Sequence, residues 1–163
     1  MNENTKAPWN DKLFKVNNTT KKLDEKRKYI FHTYVMKAMF LCKRARPNIE
    51  PGVSYLSTRT TKPDESDWAK LLRVMGFLKG TKDDVLTLEA DDAQTLYWYI
   101  DAAFGVHPDM KSHSGLAFTL GKGAIISSSR KQKVNSRSST EAELNATDDM
   151  ISKIIRVKKF LEK

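Results

Sequence analysis

The chain has 163 residues, 29 of them basic and 20 acidic, for a net charge of +9, and 39 % are hydrophobic. This fits a soluble chain of one ordinary domain or two small or incomplete ones. It excludes a membrane span, since no apolar run is long enough, and a signal peptide, since Met1 to Lys22 is polar. The one cysteine, Cys42, excludes an internal disulfide, and a reducing compartment, cytoplasm or nucleus, is expected. The excess of Lys and Arg favours a polyanionic partner through counterion release, although a solvated basic surface accounts for the same charge.

Residues 1–22 hold many Asn, Thr and Lys and few large apolar side chains, which predicts a flexible lead-in. From Leu23 the pattern turns helical. Tyr29, Ile30, Tyr34, Val35, Ala38, Met39 and Cys42 recur at three- and four-residue intervals, with Cys42 read as a core residue. Arg46-Pro47 stops that helix. A short helix is expected after Pro51, with Val53, Tyr55 and Leu56 partly buried. A third follows Pro63, capped by Asp64, carrying Trp68, Leu71, Leu72, Met75 and Leu78, and ending before Gly80.

Beyond Gly80 the apolar period changes to two. Val85, Leu86 and Leu88 suggest one short strand, Asp91 and Asp92 a turn, and residues 96–104 an aromatic-rich strand. Alternation puts Leu96, Trp98, Ile100, Ala102 and Phe104 on one face and Tyr97, Tyr99, Asp101 and Ala103 on the other. Strands are also expected at 114–120 and 123–129, joined by a tight turn at Gly121-Lys122-Gly123. A long helix closes the series. It starts at Ser138–Thr140, with Thr140 to Glu143 in the spacing of a capping box and an apolar stripe of Leu144, Thr147, Ile151, Ile154, Ile155 and Leu161. Lys158, Lys159 and Lys163 suit the negative end of its dipole.

Two carboxylates stand out. Asp101 sits in an otherwise apolar strand, where it is either a hydrogen-bonded strand-end residue or a metal ligand. Glu143 lies in the first part of the final helix, as a cap or as a second ligand. Paired carboxylates from separate elements suit a hard divalent cation, and such a site activates water for phosphodiester hydrolysis. Arg130, Lys131, Lys133 and Arg137 form a basic loop before the helix, read either as a grip on a phosphate backbone or as a solvated loop. His107 and His113 flank a loop with Asp109, too few ligands for a zinc site.

Several segments, in this order, resemble the Pol polyprotein of copia-type LTR retrotransposons. Lys43-Arg44-Ala45-Arg46-Pro47-Asn48-Ile49, Val53 to Ser57 and Trp68 to Gly80 are similar to the stretch between polymerase and RNase H. Tyr99-Ile100-Asp101-Ala102, Ser112-His113-Ser114-Gly115, Ser127 to Lys133 and Ser138 to Leu144 resemble the RNase H segment. The resemblance covers about residues 23–163. It implies an α/β chain: a helical end of a reverse transcriptase over 23–90, then a truncated RNase H-like domain over 91–163, with three antiparallel strands and a helix.

By the same resemblance Asp101 and Glu143 take the places of catalytic acids that hold magnesium in a two-metal site, with Glu141 the runner-up for the second. The expected activity is cleavage of the RNA strand of an RNA–DNA hybrid, recognised by shape and 2′-hydroxyls. Expected partners are such a hybrid or another nucleic acid, and the rest of the polyprotein. A further catalytic aspartate is expected beyond Lys163, and Asp148 and Asp149, on the helix, are not assumed to replace it. The chain alone is therefore expected to lack activity. The alternative is a catalytically inactive remnant that binds nucleic acid through charge.

Overall fold

A computed structural model describes residues 5–17, 19–92 and 95–162; Lys163, named above for the helix dipole, lies outside them. The chain divides into two compact units, Met1–Glu89 and Ala90–Lys163.

The first unit is helical. α1 (Glu25–Arg44) opens at Asp24, whose side chain accepts from the Arg27 N–H at 2.7 Å. A 3-10 turn at Pro47–Ile49 leads into α2 (Glu50–Ser57), with proline in its first turn. α3 (Glu65–Gly80) starts from a reciprocal box in which the Asp64 and Asp67 side chains accept each other's backbone N–H. The expected cap at Asp64 is therefore present; Gly80 falls inside the last turn and Thr81 caps the end.

The core draws Phe31, Val35, Ala38 and Cys42 from α1, Val53, Tyr55 and Leu56 from α2, and Leu71, Val74 and Phe77 from α3. Val35, Ala38 and Cys42 are buried as expected, whereas Phe31 takes the place of the two tyrosines. Tyr29 and Tyr34 are 74 % and 48 % exposed. α1 carries two overlapping stripes of large side chains, and packing selects the one headed by Phe31, leaving the tyrosine hydroxyls in water. Burial raises the Cys42 thiol to about 11, so it is a packing residue and no nucleophile. The stretch read as a flexible lead-in also differs: Leu13 joins the core, Trp9 and Phe14 pack against it, and Phe14 meets Tyr55 edge-on at 5.6 Å. A few bulky side chains are enough to order a segment that is polar on average.

Beneath α3, Arg59 spans two buried carboxylates, 3.3 Å from Asp64 and 3.0 Å from Asp67. The strand expected at 85–88 does not form. Val85 is 85 % exposed, and pairing begins only at β1 (Glu89–Ala90), which forms a two-stranded sheet with β4 (Gly121–Lys122). An apolar triplet without a neighbour to complete its ladder does not hold an extended form.

The second unit is a three-stranded antiparallel meander in the order β2–β3–β5, covered by one helix. Its strands are β2 (Tyr97–Ala103), β3 (His113–Thr119) and β5 (Ile126–Lys131). β5 starts three residues later than expected, because Gly121–Lys122 is used as β4 and the chain turns at Gly123, where φ is +72°. Cross-strand partners Trp98 and Phe118 stack with centroids 4.3 Å apart. Their face of the sheet packs under α4 (Ser139–Leu161), which buries Ala142, Ala146 and Met150 completely. The expected stripe is corrected here: Leu144, Ile151 and Ile155 remain outside, because small residues let a helix approach a sheet closely. Among the described residues no helix is long and apolar enough to cross a membrane.

Candidate active site on β2 and α4

Alternation along β2 places Trp98, Ile100 and Ala102 on the covered face and leaves Tyr99, Asp101 and Ala103 exposed, as the period-two pattern predicted. Asp101 pairs in register with Gly115 of β3. β2 lies at one end of the strand order, with β3 as its single neighbour in the three-stranded sheet.

The start of α4 is set two residues earlier than the expected box. Ser138 is the cap: its hydroxyl accepts from the Glu141 N–H at 3.1 Å, and the Glu141 carboxylate accepts from the Arg137 N–H at 2.7 Å. Glu141 thus serves the helix end, and Glu143 is released from it. The Glu143 carboxylate instead reaches β2 and accepts a hydrogen bond from the Ala102 N–H at 3.2 Å. A helix-borne carboxylate is fixed to the residue that follows Asp101.

A buried amide holds α4 in that position. Gln132 is 2 % exposed, and its Nε2 donates to the Ser114 hydroxyl at 2.9 Å and to the Ala142 carbonyl at 2.8 Å. Its Oε1 accepts from Ser136 at 3.1 Å, whose hydroxyl accepts in turn from Asn145 at 3.0 Å. β3, the loop after β5 and two turns of α4 are tied through one side chain. Periodicity does not mark Gln132, because its partners are distant along the chain.

The structure divides the four expected basic residues. Arg130 and Lys131 belong to the end of β5 and not to a loop. Arg130 lies along α4, 2.8 Å from the Asp149 carbonyl and 3.2 Å from its carboxylate. Lys131 pairs with Asp109 at 2.6 Å. Lys133 and Arg137 stand in the loop and are exposed. Asp149 is engaged with Arg130, whereas Asp148 faces solvent.

His107 and His113, which only flank a loop in the sequence, meet in space. His107 Nε2 lies 3.0 Å from His113 Nδ1, and His113 Nε2 lies 2.7 Å from the Ser129 hydroxyl. Burial, with His107 alongside, pushes the His113 imidazole down to about 4. Burial and then Lys131 lower His107 as well, against an opposing pull from Asp109. A neutral pair sharing one proton suits that contact and fastens the β2–β3 loop to β5.

Asp101 and Glu143 present oxygen donors only, the type a hard divalent cation accepts. Among the described residues no three His, Cys, Asp or Glu side chains gather into a metal-binding group. Two carboxylates alone are fewer ligands than a hard divalent cation takes, so any such site would need further oxygen donors.

The chain is similar to parts of longer proteins. It is 36 % identical over 110 residues to the retrovirus-related Pol polyprotein from transposon RE2 of Arabidopsis thaliana, a match covering 67 % of this chain and 8 % of that protein. With the corresponding polyprotein from transposon TNT 1-94 of Nicotiana tabacum it shares 32 % identity over 125 residues, 76 % of this chain and 9 % of the relative. The chain thus spans less than a tenth of either polyprotein. It is also 31 % identical over 112 residues to the secreted RxLR effector protein 161 of Plasmopara viticola, covering 68 % of this chain and 79 % of that protein. No family profile matches the chain, and no solved structure matches it.

Proposed function

The chain belongs to the retrovirus-related Pol polyproteins of copia-type transposons, and we propose that its second unit is the amino-terminal part of an RNase H-like domain that cuts RNA in RNA–DNA hybrids. The first unit is then the helical end of the reverse transcriptase, and the rest of the polyprotein is its partner.

One observation carries the reading: Glu143 of α4 is bonded to Ala102, the residue after Asp101 on β2. This brings an acid from the helix to the same stretch of strand as the acid of the sheet. Asp101 and Glu143 are the ligands for magnesium, which when bound supplies an activated water and charge stabilisation at the scissile phosphate. Lys133 and Arg137, both exposed, contact the backbone of the hybrid. Arg130 and Lys131 have a structural part, through Asp149 and Asp109.

A magnesium titration in the presence of an RNA–DNA hybrid tests this, with the chain beside Asp101→Asn and Glu143→Gln. Magnesium binding weakened by both substitutions supports the proposal. No magnesium binding by a chain that circular dichroism shows to be folded overturns it for this chain and leaves a catalytically inactive, basic remnant.

A further inference from the structure

α4 leaves one face bare. Leu144, Ile151, Ile155 and Leu161 are 66 %, 47 %, 48 % and 48 % exposed. Leu144, Thr147, Ile151, Ile154, Lys158 and Leu161 follow one another at steps of three, four, three, four and three residues. That is the spacing of a coiled-coil seam, narrower than the face a helix turns towards a sheet. The face that meets the sheet, through Ala142, Ala146 and Met150, is a different one.

We propose that this seam is a homodimer interface, in which α4 packs antiparallel against α4 of a second copy of the chain. The spacing of the seam reads the same from either end. A two-fold axis between Ser152 and Lys153 sets Leu144 opposite Leu161 of the other copy, Ile151 opposite Ile154, and Thr147 opposite Lys158. An interface of this isologous kind needs only one self-complementary patch.

Charge selects both the occupant and its direction. Of the acids in the first half of α4, Glu141, Glu143 and Asp149 are engaged within the chain, and Asp148 faces solvent. Antiparallel packing sets Lys158, the charged member of the seam, next to Asp148 of the other copy. Parallel packing would stack Lys158 on its own counterpart, which opposes that arrangement.

Sedimentation velocity of the full chain over a concentration series tests this. A monomer–dimer equilibrium is expected, and Ile151→Lys is expected to raise the dissociation constant by about tenfold or more. Ile151 is exposed in the single copy, so the circular dichroism spectrum should not move, nor the melting temperature at concentrations where both chains are monomeric. For direction, a chain with Leu144→Cys is mixed with one carrying Leu161→Cys under mild oxidation. The expected product is the mixed disulfide, with little linkage of either chain to itself. A monomer at every concentration overturns the proposal and leaves the seam to another protein or another polyprotein segment. A dimer indifferent to Ile151→Lys, or Leu144→Cys linking to itself, overturns it equally.

Discussion

Glu143 accepts a hydrogen bond from the backbone N–H of Ala102 at 3.2 Å, joining residues 41 positions apart. The contact is both a tether and a placement. Glu143→Ala removes a charged acceptor and is expected to destabilise the second unit by about 1–3 kcal/mol. Glu143→Gln keeps an acceptor oxygen and should cost less, while losing magnesium affinity to the same extent. Urea unfolding beside a magnesium titration separates the two. Equal destabilisation by both variants would mean that the acceptor oxygen contributes nothing.

Gln132 gives an ordering of variants. Gln132→Ala leaves the Ser114 hydroxyl and the Ala142 carbonyl without their donor, at a cost of about 2 kcal/mol. Gln132→Glu is expected to be worse at neutral pH, because it points a buried carboxylate at a carbonyl oxygen. Lowering the pH should narrow the gap as that acid takes up a proton. Denaturant midpoints at two pH values are the measurement.

The histidine pair predicts acid sensitivity. The folded chain keeps His113 neutral down to about 4, whereas the unfolded imidazole binds a proton near 6.5. Unfolding therefore takes up a proton between those values. Stability should be independent of this group above pH 6.5 and fall as pH drops through the window towards 4. His107, lowered too, adds in the same direction. Thermal melts of the chain and of His113→Gln compared across pH test this: the variant should show the shallower fall.

The basic residues should separate by experiment. Lys133→Ala and Arg137→Ala are each expected to weaken hybrid binding and to lower the slope of log affinity against log salt by about one. Arg130→Ala should instead lower the melting temperature, since it breaks the contacts with Asp149. Filter binding over a salt series, with a melt on each variant, distinguishes them. A salt slope unchanged in Lys133→Ala and Arg137→Ala would remove the loop from the interface.

Legibility in the sequence followed the range of the interactions concerned. Signals carried within a few residues were readable: the Asp64 cap, the stop at Arg46-Pro47, the alternation that puts Asp101 on the exposed face of β2. Choices made by distant packing were not. α1 offers two stripes, and only the rest of the core decides that Phe31 turns inward and Tyr29 outward. α4 was read by hydropathy, which marks Leu144 and Ile151, whereas closeness to the sheet selects Ala142 and Ala146. At the candidate site, Asp101 and Glu143 could be named from residue type and order, but Glu143 first looked like part of a cap. Seeing Ser138 and Glu141 take that task is what frees it. The Gln132 network and the His107–His113 contact have no local pattern at all.

In the helical unit, Arg59 compensates Asp64 and Asp67, both almost fully buried. Arg59→Ala leaves those charges with weaker partners, Lys22 at 3.5 Å and Lys70 at 4.0 Å. A loss of about 3 kcal/mol is expected, read by denaturant unfolding. Arg59→Lys, which cannot span two carboxylates with one planar fork, should recover only part of it.

The order β2–β3–β5 also bears on how the second unit assembles. β2 pairs with β3 and β3 with β5 across short connections, so the sheet can zip up through short loop closures. Docking α4 on β2 closes a far longer loop and gains its contacts only once the sheet is there to receive it. The contact between Glu143 and Ala102 therefore forms in the last step of folding, and the hairpin that carries Asp101 can exist before it does.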